Sequence, residues 1–234
     1  MKYIKKSFRI ILLLVLIVAL YLIGVILYGT ITEYKPDPET SEKVKTEGNA
    51  LASNSIDSVI NLMIWNIGYG GLGKEADFFY DGGRMVRAPK EIWDKDFQGQ
   101  LNILRSNDTV DFFLIQEIDV NSARSFGVNQ YDSVFHTLTD HSASFGLNYD
   151  VNFVPVPYTN PMGKVTGGVA TFSRYQPSES QRYQYPGKFP WPTRIFFLDR
   201  CFLAQRYPMA NNKELIIINT HNSAYDESLS LIHI

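Results

Sequence analysis

Cysteine is almost absent: Cys201 stands alone among 234 residues, which excludes an intramolecular disulfide framework and a cysteine-built zinc cluster. Internal repeats are absent, which excludes solenoids and propellers. A strong net charge is missing too, since 22 basic against 24 acidic groups leave -2. That near-balance is uneven along the chain. Residues 1–30 contain no acid, only Lys2, Lys5, Lys6 and Arg9, so the rest holds 18 basic against 24 acidic groups, or -6. An acidic remainder excludes a nucleic-acid binder that works by charge alone. It does not exclude an enzyme that meets phosphate through a bound cation. What is present, 45% hydrophobic and 14% aromatic residues, is the composition of a globular chain, long enough for one domain and a tail.

The run from Ile10 to Tyr28 has nineteen residues without a charge. As a helix it spans ~28 Å, close to the hydrocarbon thickness of a bilayer. Basic residues 1–9 precede it and the first acid, Glu33, follows it. The positive-inside rule then keeps residues 1–9 in the cytoplasm and exports the rest. That predicts a single-pass protein of the inner membrane with a periplasmic domain. A secretory signal peptide is the competing reading, but its apolar core is usually shorter, ~7–15 residues, and ends in a small-x-small site. Tyr28-Gly29-Thr30-Ile31-Thr32 is a poor match to such a site. Residues 29–58, rich in Glu, Lys, Ser and Pro, read as a flexible linker.

From residue 59 the pattern turns to short apolar runs bounded by turn residues. Strands are predicted at 60–66, 110–116, 152–155, 168–173, 200–206 and 215–219, with a hairpin turn at Asn211-Asn212. Apolar residues at 93, 97, 101 and 104 predict a helix between the first two. One helix followed mostly by strands fits an α+β sandwich better than a regular βαβ array.

Three of these strands end in polar side chains: Asn66, Glu117 and His221. Carboxylate, amide and imidazole suit hard-cation phosphate chemistry. Each also has a plain structural reading: a turn-forming Asn before Gly, a solvated Glu at a loop, and a capping His.

Order and context distinguish the two readings. Leu62-Met63-Ile64-Trp65-Asn66-Ile67-Gly68, Asp111-Phe112-Phe113-Leu114-Ile115-Gln116-Glu117, Gly167-Gly168-Val169-Ala170-Thr171-Phe172-Ser173-Arg174-Tyr175 and Leu215-Ile216-Ile217-Ile218-Asn219-Thr220-His221 resemble, in order, four motifs of the endonuclease/exonuclease/phosphatase family. The resemblance implies a four-layer α/β sandwich, two mixed sheets with helices outside, over residues 59–228. It implies a Mg²⁺- or Mn²⁺-dependent phosphoesterase in which water attacks a phosphodiester. Glu117 and Asn66 would be metal ligands, Asn66 and His221 catalytic, and Asn219, Arg174 and Arg84 substrate-binding. Two later motifs of the family, G-D-x-N and S-D-H, do not occur after His221. Asp140-His141 precedes the N-T-H strand, out of order, and reads as part of a loop. Residues 229–234 resemble a translated sequencing adapter. On that reading the sandwich lacks its last strands, and the chain as written is expected to be an inactive fragment of an active enzyme.

The substrate stays open between nucleic acid and a lipid or inositol phosphate. Gly70 to Lys90, with Lys74, Arg84 and Arg87, and the aromatic stretch Tyr183, Tyr185, Phe189, Trp191 and Arg194 suit base stacking and lipid headgroups equally. The bilayer is the other expected partner. A non-catalytic anchored binding protein that retains the fold is the alternative, and a surface protein with chance motif matches a third.

Overall fold

The computed structural model describes residues 2–46, 50–56, 59–187, 189–210 and 212–222. The adapter-like residues 229–234, the end of the expected 59–228 domain and Asn211 of the predicted turn lie outside them.

Helix α1 (Lys2–Ile31) contains the apolar run. Its segment Tyr3–Ile31 is long and apolar enough to cross a membrane. Among the described residues it is buried against the rest of the protein near its C-terminal end, at Gly29. The residues expected to form a flexible linker instead lie against the domain. Three short strands, β1 (Glu39–Ser41), β2 (Lys45–Thr46) and β3 (Leu51–Ala52), arise within them. Edge pairing needs main-chain hydrogen bonds and no apolar side chains, so a polar composition gave no sign of it.

Next come β4 (Leu62–Asn66), α2 (Lys90–Ser106), β5 (Phe112–Asp119), α3 (Gln130–Thr137), β6 (Ser142–Val154) and β7 (Gly163–Ser173). The chain continues with β8 (Tyr175–Gln176), β9 (Glu179–Gln184), β10 (Cys201–Pro208) and β11 (Glu214–Thr220). The five-stranded sheet runs β2-β6-β7-β5-β4 and the four-stranded sheet β1-β9-β10-β11, while β3 pairs with β8. The first sheet is mixed, with β4 parallel to β5. The second is antiparallel throughout.

Packing follows side-chain period. Trp93, Phe97, Leu101 and Leu104 of α2 fall on one helical stripe and bury against Phe113, Ile115, Ala170 and Phe172. The alternate residues Phe112 and Leu114 point the other way and meet Tyr207 and Ile217 of the second sheet. Among the described residues the layers are therefore helix, sheet, sheet. Ile216 and Ile218, on the outer face of β11, are 47% and 52% exposed.

His141 belongs to this core. Its ring lies 5.4 Å from that of Phe113, and Nε2 donates to the Val110 carbonyl at 3.2 Å. Burial pulls its pKa below the ordinary histidine value, against the opposing effect of that carbonyl. An imidazole that stays neutral when folded but protonates when unfolded contributes its full stability above about pH 6.5. That contribution declines as pH falls toward the depressed folded value. Urea midpoints are expected to drop between about pH 7.5 and about pH 5, and to drop less in His141→Gln. Equal drops in both proteins would exclude His141 as a source.

Candidate active site

The strand ends carrying Asn66, Glu117 and His221 converge at one end of the sandwich. Asn66 and Gln116 are register partners on parallel β4 and β5, so the next residue, Glu117, emerges beside Asn66. His221 follows the last residue of β11, whose buried Asn219 crosses to β5 from the facing sheet.

Glu117 is aimed by a β-bulge. The β5–β7 register shifts between Gln116 and Ile118, leaving Glu117 as the extra residue. Its φ of 53° is in the left-handed region, costly for a residue with a Cβ and frequent where a side chain has a job. Both neighbours are buried, whereas the Glu117 side chain is 24% exposed. Gly168 sits opposite the bulge. A Cβ there would collide with the Gly146 carbonyl and approach the Phe145 ring, which gives the Gly-Gly pair of that strand a physical reason.

Asn66 Nδ2 donates to Glu117 Oε1 at 2.9 Å, and its Oδ1 accepts the Gly68 N–H at 2.9 Å. The backbone N–H thus sets the orientation of the amide. Asn66 meets Glu117 as a donor, and the oxygen expected to ligate a metal is already engaged. His221 Nε2 lies 3.6 Å from the same Oε1, with 26% of its side chain exposed. Burial lowers the His221 pKa. Glu117 opposes that shift, while Arg200 and Arg124 add to it.

The three residues expected to contact substrate are placed differently. Asn219 is fully buried: Oδ1 accepts from Gln116 Nε2 at 2.7 Å, and Nδ2 donates to the carbonyls of Ile115 and Ala170 at 3.2 and 2.8 Å. It joins the two sheets, with both ends of its amide occupied. Arg174 follows Ser173, the partner of Phe112 at the opposite end of β5 from Glu117. Its Nη1 donates to Thr109 O at 3.4 Å. Arg84 is on an exposed loop, where its backbone N–H donates to Asp77 Oδ2 at 3.1 Å. Among the described residues, no hydrogen bond or ion pair joins its side chain to Glu117.

The sequence reading missed the support behind the site. Arg124 donates to both carboxylate oxygens of buried Asp119, Nε to Oδ2 at 3.0 Å and Nη2 to Oδ1 at 2.9 Å. The guanidinium lies 4.0 Å from the Tyr69 ring centroid. Burial opposes its charge, and Asp119 overcomes that, holding the Arg124 pKa above its ordinary value. Asp119 was discoverable as the second acid of Glu117-Ile118-Asp119, but nothing in the sequence pairs it with Arg124. A groove of about 580 Å³ between β4 and α2 adjoins the site through Asn66 and is also lined by Trp65, Asp96 and Gln100.

Known proteins are similar to this chain to different degrees. The sequence profile of the Endonuclease/Exonuclease/phosphatase family matches residues 63–208. A solved endonuclease/exonuclease/phosphatase from Beutenbergia cavernae DSM 12333 is similar at 16% identity and a TM-score of 0.46, over 70% of this chain and 38% of that one. An endonuclease/exonuclease/phosphatase family protein from Leptotrichia buccalis C-1013-b is similar at 12% identity and a TM-score of 0.42, over 70% of this chain and 54% of that one. The chain thus spans less than two thirds of either structure. No curated protein matches it. With more than half of its residues matched by the profile, the chain belongs to the Endonuclease/Exonuclease/phosphatase family.

Proposed function

We propose that the protein is a membrane-anchored, divalent-metal-dependent phosphoesterase that hydrolyses phosphodiester bonds. The carrying observation is the bulge that brings Glu117, on a strained backbone, together with Asn66 and His221 from two sheets. Family membership supports a hydrolase of phosphoesterase or nuclease type and the use of a divalent metal.

The donor set fits a lightly held cation. Among the described residues no hydrogen bond reaches Glu117 Oε2, which leaves that oxygen open to a hard ion. Among the described residues, no group of three or more His, Cys, Asp or Glu side chains is placed to hold a metal. Mg²⁺ suits such a site, since it keeps several waters and takes one or two carboxylates plus substrate phosphate. When bound, Mg²⁺ or Mn²⁺ would supply positive charge against the charge that develops on the phosphoryl oxygens.

The chain's own groups do the rest. Asn66 fixes the Glu117 carboxylate with its amide N–H, itself held by Gly68. His221, whose pKa burial lowers, is a hydrogen-bond donor for a phosphate oxygen beside that carboxylate. The contacts of Thr30 and Glu33 with the domain support a retained anchor over a cleaved leader.

Full-length protein is expected to hydrolyse bis-p-nitrophenyl phosphate with Mg²⁺ or Mn²⁺, to lose activity in EDTA, and to regain it when the metal is restored. Activity that persists in EDTA would overturn the metal-dependent reading. Metal-independent binding of phosphodiesters without turnover would favour the anchored binding protein.

A further inference from the structure

The place where α1 joins the domain bears on what the site meets. Gly29 lets the helix touch the loop between β9 and β10, since a Cβ there would lie 3.1 Å from Ile195 Cδ1. In the last turn of α1, Thr30 Oγ1 accepts from Trp191 Nε1 at 3.1 Å. One turn beyond, Glu33 Oε1 accepts from Arg194 Nε at 2.8 Å. The level of the helix end is thereby tied to this loop by two side-chain hydrogen bonds.

That loop leaves the second sheet at the site's own end. Cys201 pairs with Gln184, and Phe202 with both Tyr183 and Thr220, so the loop and His221 emerge together. Arg200, the last residue before β10, donates from Nη1 to the His221 carbonyl at 3.2 Å. In the other sheet, Tyr149 OH donates to Phe196 O at 2.9 Å, and Tyr149 pairs with Gly167, the neighbour of Gly168 opposite the bulge. The helix end and His221 therefore share the end of the sandwich from which this loop emerges. The apolar part of α1 is unburied, so the helix leaves this end without folding back along the domain.

The same end carries exposed aromatic side chains. Phe189 and Trp191 are 41% and 53% exposed. The β6–β7 hairpin runs past the bulge, from Gly168 to Gly163 on β7, which is roughly 17 Å of extended chain. At its tip Tyr158 is 74% exposed. The loop packed against that hairpin, through Val86 and Phe78, holds Tyr80 at 48% exposure. Trp and Tyr partition to the bilayer–water interface, where their rings are apolar and their polar tips stay wet.

We propose that the end of the sandwich bearing Asn66, Glu117 and His221 faces the bilayer, and that the phosphodiester it takes is carried by a lipid headgroup in the leaflet where α1 ends. This rests on the phosphoesterase reading above and names its substrate class. A nucleic acid would have to enter between the domain and a membrane surface, whereas a headgroup already lies there.

Two measurements on the full-length protein in vesicles of phosphatidylcholine and phosphatidylglycerol test this. Nitroxide labels are placed on Tyr158→Cys and, at the opposite end of the sheet, on Asp108→Cys. Both parent side chains are exposed, so the fold is undisturbed. Burial pushes the Cys201 thiol up to about 11, which keeps it out of the labelling reaction. The label at 158 is expected at headgroup depth, accessible to oxygen and shielded from a soluble nickel chelate, and the label at 108 in water. Hydrolysis of a vesicle phospholipid should exceed that of plasmid DNA or bis-p-nitrophenyl phosphate by about tenfold or more, because confinement to one surface raises the effective concentration. Equal chelate access at 158 and 108 overturns the orientation. Faster cleavage of the soluble diesters overturns the lipid assignment and leaves the phosphoesterase reading standing. Loss of all three hydrolyses removes that reading and the lipid assignment with it.

Discussion

Replacing Glu117 by Gln in the full-length enzyme is expected to weaken Mn²⁺ binding and to lower turnover by at least about a hundredfold. Losing a partner behind a metal ligand already costs about 10–100-fold, and Glu117 is placed as the ligand itself. The substitution keeps shape and hydrogen-bonding reach, so it separates charge from packing. His221→Ala is the contrasting variant. It should lower kcat while leaving Mn²⁺ affinity within about threefold of wild type, the signature of a group that serves the transition state rather than the ground state. Calorimetric Mn²⁺ titration and steady-state rates on the same preparations read both effects. Wild-type turnover from Glu117→Gln would remove this residue from the site. A His221→Ala protein that loses the metal as completely as Glu117→Gln would make His221 part of the metal centre.

Breaking the Asp119–Arg124 pair is expected to give the largest stability loss of any single substitution in the domain. Asp119 has no exposed side-chain surface and Arg124 only 10%, so removing the acid strands a guanidinium in the interior. Such losses run to about 3–5 kcal/mol, most of it the cost of the unpaired charge. Asp119→Ala should therefore unfold at much lower urea than wild type. The double variant Asp119→Leu with Arg124→Met should recover part of that loss, because both charges are gone. Equal destabilisation in the single and double variants would show that packing around Tyr69, and not the charge, dominates. The pair also acts on the site, since the Arg124 charge lowers the His221 pKa. The double variant should move the pH profile of any His221-dependent step to higher pH.

Most of the scaffold was legible because it obeys one rule at a time. The stripe at 93, 97, 101 and 104 became the buried face of α2, and the predicted strands became β4, β5, β7, β10, β11 and the end of β6. Elements that break their own propensity were missed. The first ten residues of β6, SASFGLNYDV, carry Ser, Gly, Asn and Asp, residues that read as turns. They form strand there because small side chains fit between two packed sheets. Strand β9, ESQRYQ, is polar, yet its Arg182 is 1% exposed and donates to the Leu147 and Asp199 carbonyls at 2.6 and 3.2 Å. The polar residues 29–58 read as a tether and instead supply strands to both sheets and to β8, because backbone pairing leaves no mark on hydropathy.

Taken alone, the sequence determined the apolar helix, the strand order along the chain, and the residue types at three strand ends, because periodicity and motif order are local properties. Only the tertiary structure decided what those residue types meet. It turned the Asn66 amide nitrogen toward Glu117 by giving its oxygen to the Gly68 N–H. It withdrew Asn219 into the seam between the sheets, set Arg174 at the far end, and buried Arg124 against Asp119. It also brought the end of α1 to the site's own end of the sandwich, across about 160 residues of chain. Each of these depends on strand register and the bulge at Glu117, where a shift of one residue reverses the face that a side chain occupies.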